Sequence, residues 1–285
     1  MTDDGERKAM TDRFQNKWAL ITGAGSGIGE ATTLALAKRG CHVWMVDKDG
    51  DRLTALQHAL RATGVNTRTS VVDVSDRDAM TALRDEVHAD VGPLSILLNN
   101  AGYAVIGSAF ETTLDQWDKQ LGVNLMGVIY GAQLFGPEMA AAAGPASIIN
   151  IASAAGFTGM PLMSAYSVSK CAVVAYSQSV QAEWEDDTLH VAAICPGFLP
   201  TRIGEDGDYA GKFQGEKRQN RVKRIIAKDG RGPDDVAAAI IGAIEKRSLL
   251  VHVYGESWQL DIASRLLPSR LLRRLKQRGA AKLGR

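Results

Sequence analysis

Hydrophobic positions along this chain follow two alternating rhythms. Short runs in which nearly every residue is apolar or β-branched, WALITG, HVWMVD, TRTSVVDV, LSILLNN, ASIINIAS, LHVAAICPG and SLLVHV, predict seven strands. Between them lie longer segments with helical periodicity, such as IGEATTLALAKRG and RLTALQHALRATG, long enough for crossover helices. Such alternation predicts an α/β fold with a seven-stranded parallel sheet covered on both faces, a doubly wound three-layer sandwich. Right-handed crossovers put the loops that follow the strands along one edge, so chemistry is expected at the strand ends.

The pattern also suggests boundaries. The opening MTDDGERKAMTDRFQN is polar and aperiodic and reads as a flexible leader over 1–16. One domain follows over 17–255, interrupted by a polar insertion, RIGEDGDYAGKFQGEKRQNRVKR, within a substrate loop at about 198–232 that is the best candidate for a lid. With 285 residues, 45% of them hydrophobic, the chain can bury a large core. Its 33 Lys and Arg against 32 acids exclude the overall charge of a nucleic-acid binder. Cys41, Cys171 and Cys195 are far apart and read as small apolar core residues, while the five histidines show no metal-ligand spacing, so no metal is expected. The start does not resemble a signal peptide, and no apolar run approaches a membrane span, so the expected location is cytoplasmic.

The last segment changes the charge picture. ASRLLPSRLLRRLKQRGAAKLGR, in the extension 256–285, contains no acid. A helix starting at Pro268 gathers Leu271, Leu272 and Leu275 on one side among arginines. Either the leucines close the substrate pocket or pack on a neighbouring subunit, or the helix makes a peripheral contact with an anionic membrane.

The first strand runs into TGAGSGIGE, where Gly23, Gly27 and Gly29 mark a turn entering a helix, with Ser26 and Ile28 between them. Glycines let a pyrophosphate approach the backbone, and the free amides of a helix N-terminus favour the anion. The second strand ends in Asp47, 18 positions after Gly29 (47 − 29), where a carboxylate can bind ribose hydroxyls and repel a 2′-phosphate. This favours NAD over NADP, although Lys48 beside it could bind that phosphate. Asp73 and Val74, at the end of the third strand, are placed to meet the adenine amino group and ring. The fourth strand finishes in NNAG, whose Asn100, Ala101 and Gly102 leave room for a cofactor while the amides fasten strands.

Asn124 falls inside a helical segment from about Thr113 to Met139, where a polar side chain on an apolar face needs a partner. Ser153 ends the fifth strand, 13 positions before Tyr166 (166 − 153), and Tyr166 and Lys170 are one helical turn apart at i and i+4. An ammonium on the same face stabilises phenolate, which would make Tyr166 an acid-base catalyst at neutral pH. Ser153 can donate to a substrate oxygen held near the phenol. In GFTGMPLMS, Phe157, Met160, Leu162 and Met163 either line an apolar pocket for a lipophilic alcohol or ketone or serve subunit or core packing.

TGAGSGIG, NNAG, Asn124, Ser153, YSVSK and PGFLPT occur in the order seen in the classical short-chain dehydrogenases/reductases (SDR), and from about Lys17 to Val253 the chain resembles that family. The resemblance implies a Rossmann-like fold and an oxidoreductase using NAD or NADP. It implies a catalytic tetrad of Asn124, Ser153, Tyr166 and Lys170, in which Asn124 positions a water for a proton relay and Lys170 also bonds the nicotinamide ribose. It assigns Pro196, Gly197 and Thr201 to the cofactor. It further implies a homodimer or homotetramer, pairing the helices that carry Asn124 and Tyr166. The alternative is a catalytically silent nucleotide sensor or scaffold, against which an intact tetrad argues, since a sensor needs the phosphate turn but no tyrosine acid-base set.

Overall fold

In a computed structural model the described residues are 13–184, 188–197, 199, 207–216, 219–220 and 231–284, with side chains described to 277. The chain forms β1 (Trp18–Thr22), α1 (Gly27–Ala37), β2 (His42–Asp47), α2 (Gly50–Leu60), β3 (Thr67–Val71), α3 (Arg77–Val91) and β4 (Ile96–Asn99). It continues with β5 (Val105–Ile106), α4 (Leu114–Leu121), α5 (Gly127–Ala141), β6 (Ala146–Ile151), α6 (Ser164–Glu183), β7 (Leu189–Pro196) and β8 (Asp208–Tyr209). The last elements are α7 (Pro233–Lys246), β9 (Leu250–Val253), α8 (Gly255–Leu266) and α9 (Ser269–Gly284).

Seven strands make one parallel sheet in the order β3-β2-β1-β4-β6-β7-β9. They coincide with the seven apolar runs, and their side chains show why. In β1, Ala19 and Ile21 enter the cluster formed with α1 and α7, while Leu20 enters the opposite one formed with α3 and α5. In β2, Val43 and Met45 face the first cluster and Trp44 and Val46 the second. Both faces are therefore dry, and each fully buried aliphatic side chain contributes about 1.5–3 kcal/mol.

Four details depart from the sequence reading. β3 stops at Val71, before Asp73. The helix expected from Thr113 to Met139 is divided by a π-turn over Gly122–Met126. A second, two-stranded parallel sheet joins β5 to β8, with Val105 opposite Asp208 and Ile106 opposite Tyr209. Two-residue strands carry no periodicity, so no sequence pattern marks them. Finally, Phe14, assigned to the leader, is fully buried, and Arg13 donates to the Ile244 carbonyl at 2.9 Å, so packing begins ahead of Lys17.

At the other end, α8 packs on the turn after β6, and α9 turns Leu272 and Lys276 toward the body, with Lys276 close enough to Cys171 to draw its thiol pKa down against the larger effect of burial. Leu271 and Leu275 stay about half exposed. Among the described residues no helix is long and apolar enough to cross a membrane.

Candidate active site

The loop from β1 to α1 is shaped for close approach. Gly23 and Gly27 have φ of 64° and 55°, in the left-handed region. A Cβ on Gly29 would overlap the Gly23 carbonyl, whereas one on Gly27 would meet nothing within 4 Å, so open space lies before the N-terminus of α1. Ser26 is the N-cap there and makes no side-chain capping bond, leaving its hydroxyl for a ligand oxygen. Asn100 donates from its side chain to the carbonyls of Thr22 and Gly23 at 2.9 and 3.0 Å, and the Thr22 hydroxyl accepts from the amides of Asn100 and Ala101, which knits the NNAG segment to the glycine turn.

Asp47 closes this turn from the next strand: its Oδ2 accepts from Gly25 N at 2.9 Å and its Oδ1 from Asp49 N at 3.1 Å. Lys48 beside it is exposed. Arg52, which sequence reasoning missed, lies over Gly25, whose Cβ would be 2.8 Å from that of Arg52, and pairs with Asp49 at 2.9 Å. Asp73 uses Oδ1 to accept from the amide and hydroxyl of Ser75. The Val74 side chain is buried against Gly127 at the start of α5.

At the ends of β4 and β6 the four tetrad residues of the sequence reading lie close together. Asn124 is fully buried in the π-turn, a local widening of the helix common at functional sites. Its Oδ1 accepts from Tyr103 N at 3.1 Å, and its Nδ2 donates to Tyr103 O at 3.0 Å and to Ser169 Oγ at 3.4 Å. Ser169 in turn donates to the Tyr166 carbonyl at 2.7 Å, so this serine, not singled out from the sequence, joins two of the four. Ser153 Oγ accepts from Ala155 N at 3.1 Å and lies near enough to the Tyr166 hydroxyl to favour its ionisation. Lys170 donates to Ile151 O at 2.7 Å.

The electrostatics differ from the expectation. Burial raises the pKa of Tyr166, the nearby Ser153 hydroxyl opposes that, and Cys195 adds to the rise. Burial also lowers Lys170, to about 8. A dry cluster penalises both phenolate and ammonium, and here that outweighs the benefit of their proximity. Cys195, fully buried beside them, is pushed up to about 12 and stays a neutral thiol.

The flanking segments sort the remaining candidates. Met160 and Met163 pack with Tyr166, Ala104 and Ala155. Leu162, at φ 66°, and Met163 also pack with Ile106, Tyr209 and Phe213, so part of the polar insertion is anchored by apolar contacts next to Tyr166. Phe157 is placed otherwise: its ring lies 5.0 Å from that of His252 and it packs on the cluster around Val173 and Cys195, the core alternative for this residue. Gly197, after Pro196 at the end of β7, lies against the carboxylate end of Glu256 from α8. Thr201 and much of the candidate lid lie outside the described residues. Among the described residues no cluster of His, Cys, Asp or Glu could hold a metal.

The family described as short chain dehydrogenase matches residues 17–208. The chain belongs to that family. It is 34% identical over 262 residues to the "Probable oxidoreductase EphD" of Mycobacterium tuberculosis, covering 90% of this chain but 44% of that protein, so the chain spans less than half the length of that relative. It is 33% identical over 230 residues to the NADP-dependent (R)-specific alcohol dehydrogenase of Lentilactobacillus kefiri, covering 80% of this chain and 89% of the relative. A short-chain dehydrogenase/reductase from Burkholderia phymatum, solved in complex with NAD, superposes with a TM-score of 0.80 at 29% identity, covering 89% of this chain and 93% of its own.

Proposed function

We propose that this short-chain dehydrogenase interconverts a secondary alcohol and a ketone with a nicotinamide cofactor, using Tyr166 as acid and base. The observation that carries this reading is the convergence of half-buried Ser153 with buried Tyr166 and Lys170, on a sheet whose NNAG segment touches both Asn124 and the open glycine turn. When bound, the nicotinamide donates or accepts the hydride. The chain's own groups handle the oxygen. Ser153 and the Tyr166 hydroxyl hold it, and the phenol, kept protonated by its dry surroundings, gives its proton to a carbonyl oxygen as negative charge develops there. Lys170, whose pKa of about 8 lets it exchange protons near neutrality, resupplies the phenol. Asn124 anchors the relay, and its bonds to Tyr103 and Ser169 fix the direction of its amide.

The Gly23–Gly29 turn, Ser26 and Asp47 hold the dinucleotide. Asp47 faces the expected ribose position, which favours NAD, with Lys48 and Arg52 as the nearby cations that could admit a phosphate. The substrate is lipophilic on this reading, which is supported by the apolar run of Met160, Met163 and Leu162 from Tyr166 to Ile106, Tyr209 and Phe213. The protein forms a homodimer or homotetramer through α5 and α6, and the exposed Arg270, Arg273 and Arg274 of α9 suit a reversible contact with an anionic membrane. Nicotinamide absorbance followed over a panel of ketones and secondary alcohols with both cofactors tests the reading. Turnover of apolar ketones supports it, and none across the panel favours a nucleotide-binding scaffold.

A further inference from the structure

Gln120, in the last turn of α4, is fully buried although its side chain is polar. Both of its side-chain hydrogen bonds go to one short stretch of backbone. Its Oε1 accepts from Val105 N at 2.8 Å, and its Nε2 donates to Tyr103 O at 2.8 Å. Asn124, one turn further on, takes the same Tyr103 carbonyl through Nδ2 at 3.0 Å and the Tyr103 amide through Oδ1 at 3.1 Å. Two buried amides thus share one carbonyl and grip residues 103–105 from one side. A buried amide left without these partners is strongly disfavoured, so this backbone and this side chain hold each other in register.

The gripped stretch reaches two other parts of the site. It leads into β5, whose two residues pair with β8 of the substrate loop, and Lys119, next to Gln120, bonds Asp208 of β8 at 2.9 Å. Gly107, directly after β5, donates to the carbonyl of Leu162 at 2.9 Å. A two-stranded sheet this short is unstable alone and needs an anchor. We propose that Gln120 is a positioning residue, which fixes the 103–107 backbone and thereby both the direction of the Asn124 amide and the seat on which the substrate loop docks.

The kinetic part of this proposal rests on the dehydrogenase reading; the structural part does not. The test uses the full-length chain with Gln120→Met, which keeps the volume and removes both bonds, and Gln120→Glu. In Gln120→Met, hydrogen exchange at the Val105 amide should rise at least tenfold. Its kcat/KM for the carbonyl substrate should fall tenfold or more, while nucleotide Kd is unchanged. In Gln120→Glu a protonated carboxyl replaces both the donor and the acceptor of the amide, whereas a carboxylate opposes the Tyr103 carbonyl. Its activity relative to wild type should therefore recover as pH falls, a signature that mere filling of the core would not produce. Unaltered Val105 exchange in Gln120→Met, or a Gln120→Glu to wild-type ratio that does not vary with pH, would overturn the proposal. If wild type turns over no carbonyl compound, the dehydrogenase reading fails while the exchange measurement still decides the clamp.

Discussion

The Lys170 Nζ lies 5.8 Å from the centre of the Tyr166 ring, on the same face of α6, yet its hydrogen bond goes to the carbonyl of Ile151. The lysine is thus tied to the end of β6, the strand that delivers Ser153, so the side chains keep their mutual position before any ligand arrives. The arrangement is pre-organised, and its electrostatic cost falls on Lys170.

That cost predicts a pH dependence of stability. The pKa of Lys170 is about 8 in the fold against 10.5 ordinarily, so between those values the unfolded chain binds more protons and stability rises with pH. Below pH 8 the folded protein carries the full penalty, on the order of 3 kcal/mol. In urea unfolding of the cofactor-free protein, wild type should gain stability between pH 7.5 and 10 relative to Lys170→Met. Parallel curves for the two proteins would refute the buried-ammonium account.

Asp47 should govern the choice of cofactor. It already accepts two backbone amides, so its carboxylate is held in place and cannot swing away from an incoming 2′-phosphate. Asp47→Ala should raise the NADP-to-NAD ratio of kcat/KM by about tenfold, or roughly 1.4 kcal/mol. Both ratios must be measured, and a wild type that already prefers NADP would assign control to Lys48 and Arg52.

Gly29→Ala tests the turn itself. A methyl group there overlaps the Gly23 carbonyl, so the backbone must shift, at a cost of about 1–3 kcal/mol. Nucleotide affinity, read by fluorescence titration, should drop more than tenfold. Unchanged affinity would mean that the turn is not the phosphate site.

Much of this was legible in the sequence, for identifiable reasons. Strands buried on both faces are continuous apolar runs, so the sheet announced itself. The i and i+4 spacing of Tyr166 and Lys170 placed them on one face without any tertiary information. Other features depend on contacts between distant segments. Gln120 and Ser169 look like ordinary helix residues until the Tyr103 and Tyr166 carbonyls are seen opposite them. Val74 is buried against Gly127, a contact between distant segments that its place after β3 does not report. The rise in the Tyr166 pKa reflects desolvation by the whole surrounding fold, which spacing along one helix does not report.

The most direct test is hydride transfer by wild type and Tyr166→Phe, followed by nicotinamide absorbance on the best ketone of the panel, with nucleotide Kd measured in parallel. Removing one hydroxyl leaves the packing of the ring with Met160 and Met163 in place. The account predicts that kcat falls by about 10²–10⁴-fold with Kd unchanged. Turnover by Tyr166→Phe within a few-fold of wild type would contradict it.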